Sequence, residues 1–279
     1  MTEAIKYCHQ ISPYRVEISA PHHFQALEEL KKVLNNFRNS GFSLTLHNYF
    51  PAPIEPFVLN MAASDELGEK NARNLVNNAL ELCTAIGSPL YGIHAGYLSN
   101  PKQGENEMFT FDDQISSYSE ALKRSVKFVN KIAPNFEKAG VRLLIENLFP
   151  SINNRHSLFC TIDEIREFSL QIPKSVGLLL DLGHLNVSSN ILGFERHTAI
   201  ENFLEEFSDR LFEVHLSENK GLKDEHLAIK KGSWQLEALK GIQQQKLPFG
   251  ETRVYCVEAR NASIKELHAS IDLVNEIIS

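Results

Sequence analysis

Seven short, almost wholly apolar runs recur along the chain, at residues 15–19, 43–47, 90–94, 142–146, 176–181, 211–215 and 254–258. Continuous rather than alternating hydrophobicity suits strands covered on both faces, as in parallel sheets. Between the runs lies sequence of helical period, so strand and helix alternate with a repeat of about 40 residues. No Pro/Ser-rich linker or composition break interrupts this rhythm, and the reading is one domain over residues 1–279. The expected fold is α/β, a TIM-type (β/α) barrel, with an open doubly wound sheet as the other arrangement. A closed barrel needs eight strands and seven are readable. The first β/α unit is therefore expected to be missing, with Thr2–Ile11 a remnant of its helix and the open seam favouring a homo-oligomer.

The helices carry their own punctuation. One apolar stripe runs through Phe24, Leu27, Leu30, Leu34 and Phe37; another runs through Ala72, Leu75, Val76, Ala79, Leu80 and Cys83 and stops at Gly87. Three capping boxes mark helix starts: Thr161 with Glu164, Thr198 with Glu201, and Ser263 with Glu266. A long helix is expected from Asp112 or Asp113 to Gly140.

The ends of the apolar runs carry the chemistry. Six of the seven finish in a metal-capable residue: His47, His94, Glu146, Asp181, His215 and Glu258. In a barrel, the C-terminal strand ends meet on one face, where active sites sit. A His or Glu that closes one strand is ordinarily just a polar boundary residue; six at one structural level are not. Carboxylates gathered there repel one another and are costly to desolvate, and a divalent cation removes that penalty. Two short spacings add to the set. Asp181 is followed three residues later by His184, and Asp224 stands two residues before His226. Nine candidate ligands result, without a cysteine among them, which suits Zn or Mn in one to three ions rather than a structural thiolate site.

Composition narrows the remaining classes. The formal net charge of −7 argues against the broad basic footprint of a nucleic-acid binder, although a local groove is compatible with it. Four widely spaced cysteines make no disulfide scaffold, and the absence of a long apolar run or an apolar leader gives a cytoplasmic expectation with no membrane partner. Arg155, His156, Lys220 and Arg260 are the candidates for the substrate side. For Lys220, which shares its loop with Lys223, Lys230 and Lys231, a solvated charged loop is the plainer reading.

The motifs Gly92-Ile-His-Ala-Gly96, Leu144-Ile-Glu-Asn147, Gly177-Leu-Leu-Leu-Asp-Leu-Gly-His184 and Glu213-Val-His-Leu-Ser217 resemble those of the xylose isomerase-like barrels. That superfamily holds sugar isomerases and epimerases and the endonuclease IV abasic-site nucleases, and the resemblance runs from about residue 40 to the end. Carried over residue by residue, the nuclease pattern implies that Glu146 bridges two metals. His47 and His94 would serve one of these, and Asp181, His215 and Glu258 the other, while His184, Asp224 and His226 would hold a third. The isomerase pattern implies one metal on Glu146, Asp181, His215 and Glu258, with His184 on the substrate.

The departures fall on DNA handling. Tyr49 and Asn60 are displaced from the nuclease arrangement around the first His, Leu179 replaces a Cys, Glu225 replaces an Arg between Asp224 and His226, and the following Leu-Gly-x-Gly turn is absent. The first expectation is therefore a metal-dependent isomerase or epimerase of a small sugar or sugar phosphate. It would work through a metal-stabilised enediolate, with Glu146 and Glu258 exchanging the proton. The second is an abasic-site phosphodiesterase with a multinuclear zinc site. The third is a barrel that keeps a metal without catalysis.

Overall fold

In the computed structural model the described residues are 8, 15–19, 23–103, 109–111, 115–151 and 155–279. They fall into two compact units, residues 1–145 with 171–176, and residues 146–170 with 177–279.

The first unit runs β1 (Arg15–Ile18), α1 (Leu27–Asn39), β2 (Ser43–His47), α2 (Glu66–Ile86), β3 (Leu90–His94), the antiparallel pair β4 (Lys102–Gln103) and β5 (Phe109–Thr110), α3 (Tyr118–Ala139) and β6 (Arg142–Glu146), of which the last residue, Glu146, belongs to the second unit. Strands β1, β2, β3 and β6 lie side by side in that order, with Val16 opposite Leu44 and Leu46 opposite Tyr91 in parallel pairs. The helices bury the expected stripes with small shifts. Leu30, Leu34 and Phe37 are buried, whereas Phe24 precedes the helix and is 50% exposed. In α2 the buried position is Leu82, and Leu80 sits at the border. Gly87 closes α2 at φ 67°, a left-handed conformation that a side chain would oppose, and Ser88 N–H then reaches the Cys83 carbonyl.

Helix α3 begins at Tyr118 under a capping box of Ser117 and Glu120, later than the expected start at Asp112 or Asp113 because residues 115–117 are not helical, and ends at Gly140; Asp112 and Asp113 themselves lie outside the described residues. Of the Thr2–Ile11 segment only Cys8 is described, and it is helical.

The second unit carries α4 (Ile162–Ser169), β7 (Gly177–Asp181), α5 (Leu182–Leu192), α6 (Arg196–Phe207), β8 (Leu211–Leu216), α7 (Trp234–Gln244), β9 (Val254–Val257) and α8 (Ile264–Ile278). Strands β7, β8 and β9 are parallel neighbours in that order. Every residue of β7 and β8 is buried, as the unbroken apolar runs require of strands covered on both faces.

Two helix starts differ from expectation for a visible reason. Thr161 caps α4, but Glu164 turns its carboxylate to the Cys160 N–H and to Arg155 instead of closing the box. Thr198 lies inside α6, whose cap is Glu195, three residues earlier. Ser263 and Glu266 form the full box. No helix among the described residues is long and apolar enough to cross a membrane, and all four cysteines are free.

Candidate metal centre

Strand β7 passes into α5 with no residue between them, and Asp181 serves both elements. Its Oδ1 accepts the His184 N–H at 2.7 Å as the helix cap. The turn this forms brings the His184 ring back over the strand end, with Nε2 3.9 Å from Asp181 Oδ2. Asp181 Oδ2 is buried and has no hydrogen-bond partner among the described residues. Asn147, one residue after Glu146, fastens this junction from β6. Its side chain accepts the Asp181 N–H at 2.7 Å and donates to the Asp181 carbonyl at 3.0 Å, while its own carbonyl accepts His184 Nδ1–H at 2.8 Å. That bond commits Nδ1–H and turns Nε2 toward the cluster.

The turn is also too tight for a side chain at Gly183, where a Cβ would stand 2.6 Å from Ser217 Oγ and 3.1 Å from Asp181 Oδ1. A Gly183→Ala variant is expected to lose about 1–3 kcal/mol of stability, as overpacking does. It should also bind added metal more weakly. Chemical denaturation with and without metal checks both, and a variant indistinguishable from wild type in both would show that the junction has slack.

The other candidate ligands assemble on β8, β9 and their loops. Asp181 is the register partner of His215, and His215 in turn of Cys256, so the ends of three strands stand level. His215 Nδ1 lies 3.8 Å from Glu146 Oε1, 3.9 Å from Asp181 Oδ2 and 3.5 Å from Glu258 Oε2. Ligand atoms of Glu146, Asp181 and His184 lie within 4.8 Å of one another, and so do those of Asp181, His215 and Glu258.

Past β8 the chain makes a loop pinned by two backbone hydrogen bonds between Glu218 and Leu227, at 2.9 and 2.8 Å. This loop carries Asp224 and His226 inward, with His226 in the left-handed region at φ 46°. His226 Nδ1–H donates to the Glu258 carbonyl at 3.1 Å, and its Nε2 meets Asp224 Oδ2 at 2.6 Å. The same Asp224 oxygen is 3.6 Å from His184 Nε2.

Charge makes the cluster intelligible. Glu146, Asp181 and His215 are each fully buried. Burial pushes the Asp181 carboxyl up to about 6; His184 opposes the rise, and Glu146, Asp224 and Glu258 add to it. Burial works against a charge on His184, but the carboxylates of Asp181, Asp224 and Glu146 outweigh it and hold that imidazole well above its ordinary range. Partial burial raises the Asp224 carboxyl, but its contacts with His184 and His226 outweigh this and keep it below the usual carboxylate range. Excess negative charge, oxygen and imidazole donors without sulfur, and a buried carboxylate oxygen lacking a partner all fit a divalent cation.

Seven of the nine candidate ligands are thus in the second unit. The other two, His47 and His94, are neighbours in the first, with ring centroids 5.6 Å apart at the ends of β2 and β3. His47 Nδ1 faces Ser19 Oγ at 3.4 Å, and His94 Nδ1 faces Asn48 Nδ2 at 3.2 Å and Tyr97 Oη at 3.4 Å.

The four substrate-side candidates scatter. Arg260 Nη2 stands 4.0 Å from Glu258 Oε1. Arg155 pairs with Glu164, and His156 is buried, which pushes its imidazole down. The Lys220 side chain is 78% exposed, 3.8 Å from Glu225. Residues that the pattern of titratable strand ends did not single out support the ligands: Asn147, and an amide chain in which Arg196 donates to Asn186, Asn186 to Asn219, and Asn219 to the Gly183 carbonyl. Amides are not among the usual metal donors; Asn147 is marked in the sequence only by its place after Glu146 in the motif Leu144-Ile-Glu-Asn147.

The xylose isomerase-like TIM barrel family matches residues 11–249. The chain belongs to this family. Among curated proteins, the uncharacterized protein MJ1614 of Methanocaldococcus jannaschii is 29% identical over 227 residues, covering 79% of this chain and 74% of that one. Among solved structures, a D-tagatose 3-epimerase-like protein superposes with a TM-score of 0.74 at 22% identity, covering 100% of this chain and 96% of the other. The IolI protein with a bound zinc atom superposes with a TM-score of 0.68 at 16% identity, covering 100% and 94%. At these identities the likeness establishes the fold, an α/β barrel of the TIM type with seven long strands among the described residues.

Proposed function

We propose that this xylose isomerase-like barrel is a divalent-metal-dependent isomerase or epimerase of a small sugar or sugar phosphate. The observation that carries this reading is the cluster of Glu146, Asp181, His215 and Glu258, whose donor atoms converge at the level strand ends. The epimerase-like and zinc-bearing relatives support it. Bound there, a zinc or manganese ion would supply the Lewis acidity that makes a C–H beside a sugar carbonyl acidic.

The residues themselves do the proton work. Glu258 turns Oε2 toward His215 and leaves Oε1 toward Arg260, so one oxygen faces the ligands while the other is placed to take or return a proton. Glu146 is the second carboxylate of the exchange. His184, with Nδ1 committed to the Asn147 carbonyl, presents Nε2 to a substrate oxygen. Phe149, tilted against the His184 ring with centroids 4.8 Å apart, is the apolar neighbour that keeps water from that side.

A second reading has its own observation. His184, Asp224 and His226 direct ligand atoms at one another, which suits an additional ion and a multinuclear phosphodiesterase acting at abasic DNA. The deciding experiment measures bound metal on protein purified without chelator and assays free and phosphorylated ketoses and aldoses beside an abasic-site duplex. Sugar interconversion with about one ion per chain is expected. Duplex cleavage with about three ions, and no sugar conversion, overturns the first reading in favour of the second.

A further inference from the structure

Two positions before His215 on β8 stands Glu213, a fully buried carboxylate on the same face of the strand. Its Oε1 is 4.0 Å from His215 Nε2, the ring nitrogen opposite the one that faces the ligand carboxylates. Nδ1 lies 3.5–3.9 Å from Glu258, Asp181 and Glu146, so the two edges of the ring look in different directions, one at the metal donors and one at Glu213. We infer that Glu213 is the positioning residue of the metal centre, holding His215 as the Nε2–H tautomer so that Nδ1 keeps its lone pair for the ion. This rests on the metal-dependent reading above.

The comparison with the other two imidazoles sharpens the inference. His184 and His226 each give their second ring N–H to a backbone carbonyl, those of Asn147 and Glu258, which are neutral acceptors. At 4.0 Å Glu213 acts on His215 through its charge rather than through a hydrogen bond, and a buried carboxylate at that range favours a proton on Nε2 and positive charge on the ring, which a neutral carbonyl does only weakly. Both Glu213 and His215 are completely buried, where a charge acts on its neighbour more strongly than it would in water.

The test uses metal-free whole protein and two variants, Glu213→Gln and Glu213→Leu. Nitrogen-15 NMR of the histidines in the wild type should show His215 protonated at Nε2; protonation at Nδ1 alone overturns the inference without any variant. Competition against a chelator should show zinc and manganese affinity falling about 10- to 100-fold in Glu213→Leu, with Glu213→Gln between it and wild type. If Glu213→Leu does not fold, Glu213→Gln decides. A folded Glu213→Gln protein with affinity within about twofold of wild type and the same His215 tautomer sinks the proposal. Wild-type protein that binds no metal would instead remove the functional reading, while the tautomer measurement would still judge the role of Glu213.

Discussion

Zinc or manganese added to chelator-stripped protein is expected to raise its melting temperature by roughly 8–15 °C when the ion is present at about a thousand times its dissociation constant. The size follows from mass action. Ligand at that excess stabilises the state that binds it by about 4 kcal/mol, and a chain of this length gains about 2–4 °C for each kcal/mol. The direction follows from the site. Three fully buried acids and imidazoles, Glu146, Asp181 and His215, sit among Glu258, Asp224 and His184 with more negative charge than the histidines balance. An ion relieves that repulsion in the folded chain and has little to hold in the unfolded one. Differential scanning fluorimetry checks it, with magnesium and calcium as oxygen-preferring controls. A shift below about one degree with every ion would leave the cluster as an unusual buried polar network and nothing more.

Replacing Glu258 by glutamine should abolish sugar interconversion to the level of about 10²–10⁴-fold or more, even at saturating metal. The amide keeps the shape and one ligand oxygen but can neither take nor return a proton. Glu258 lies on the loop just past β9, with its side chain 8% exposed, so the fold should tolerate the change. Metal affinity is expected to weaken too, which is why activity must be read on a metal titration and not at one concentration. Full activity of Glu258→Gln at saturating metal would move the proton exchange to another group.

Much of this was legible in the residues, for a physical reason. Strands buried on both faces leave an unmistakable apolar run, and each long strand was readable to within a residue at either end. The polar residue that stops such a run must lie at the strand end, so Glu146, Asp181, His215 and Glu258 announced themselves. Helix starts were less secure, because a Ser or Thr three residues before a Glu is frequent. Thr198 matched the pattern while Glu195 took the cap, and Ser117 capped α3 unannounced. The short antiparallel pair of β4 and β5 left no signal, since two-residue strands have no period to detect. Support by Asn147 and Glu213 was hidden for another reason: what matters there is which atom of a neighbour each side chain faces, and only folding decides that.

The direct passage from β7 into α5 carries a consequence for any attempt to change what this barrel acts on. With Asp181 at once the last rung of a strand, the anchor of a helix and, in the proposed site, a donor to the ion, any mutation there disturbs all three together. Diversity in such a chain must come from stretches that carry none of the candidate ligands, while the junction itself is inherited whole.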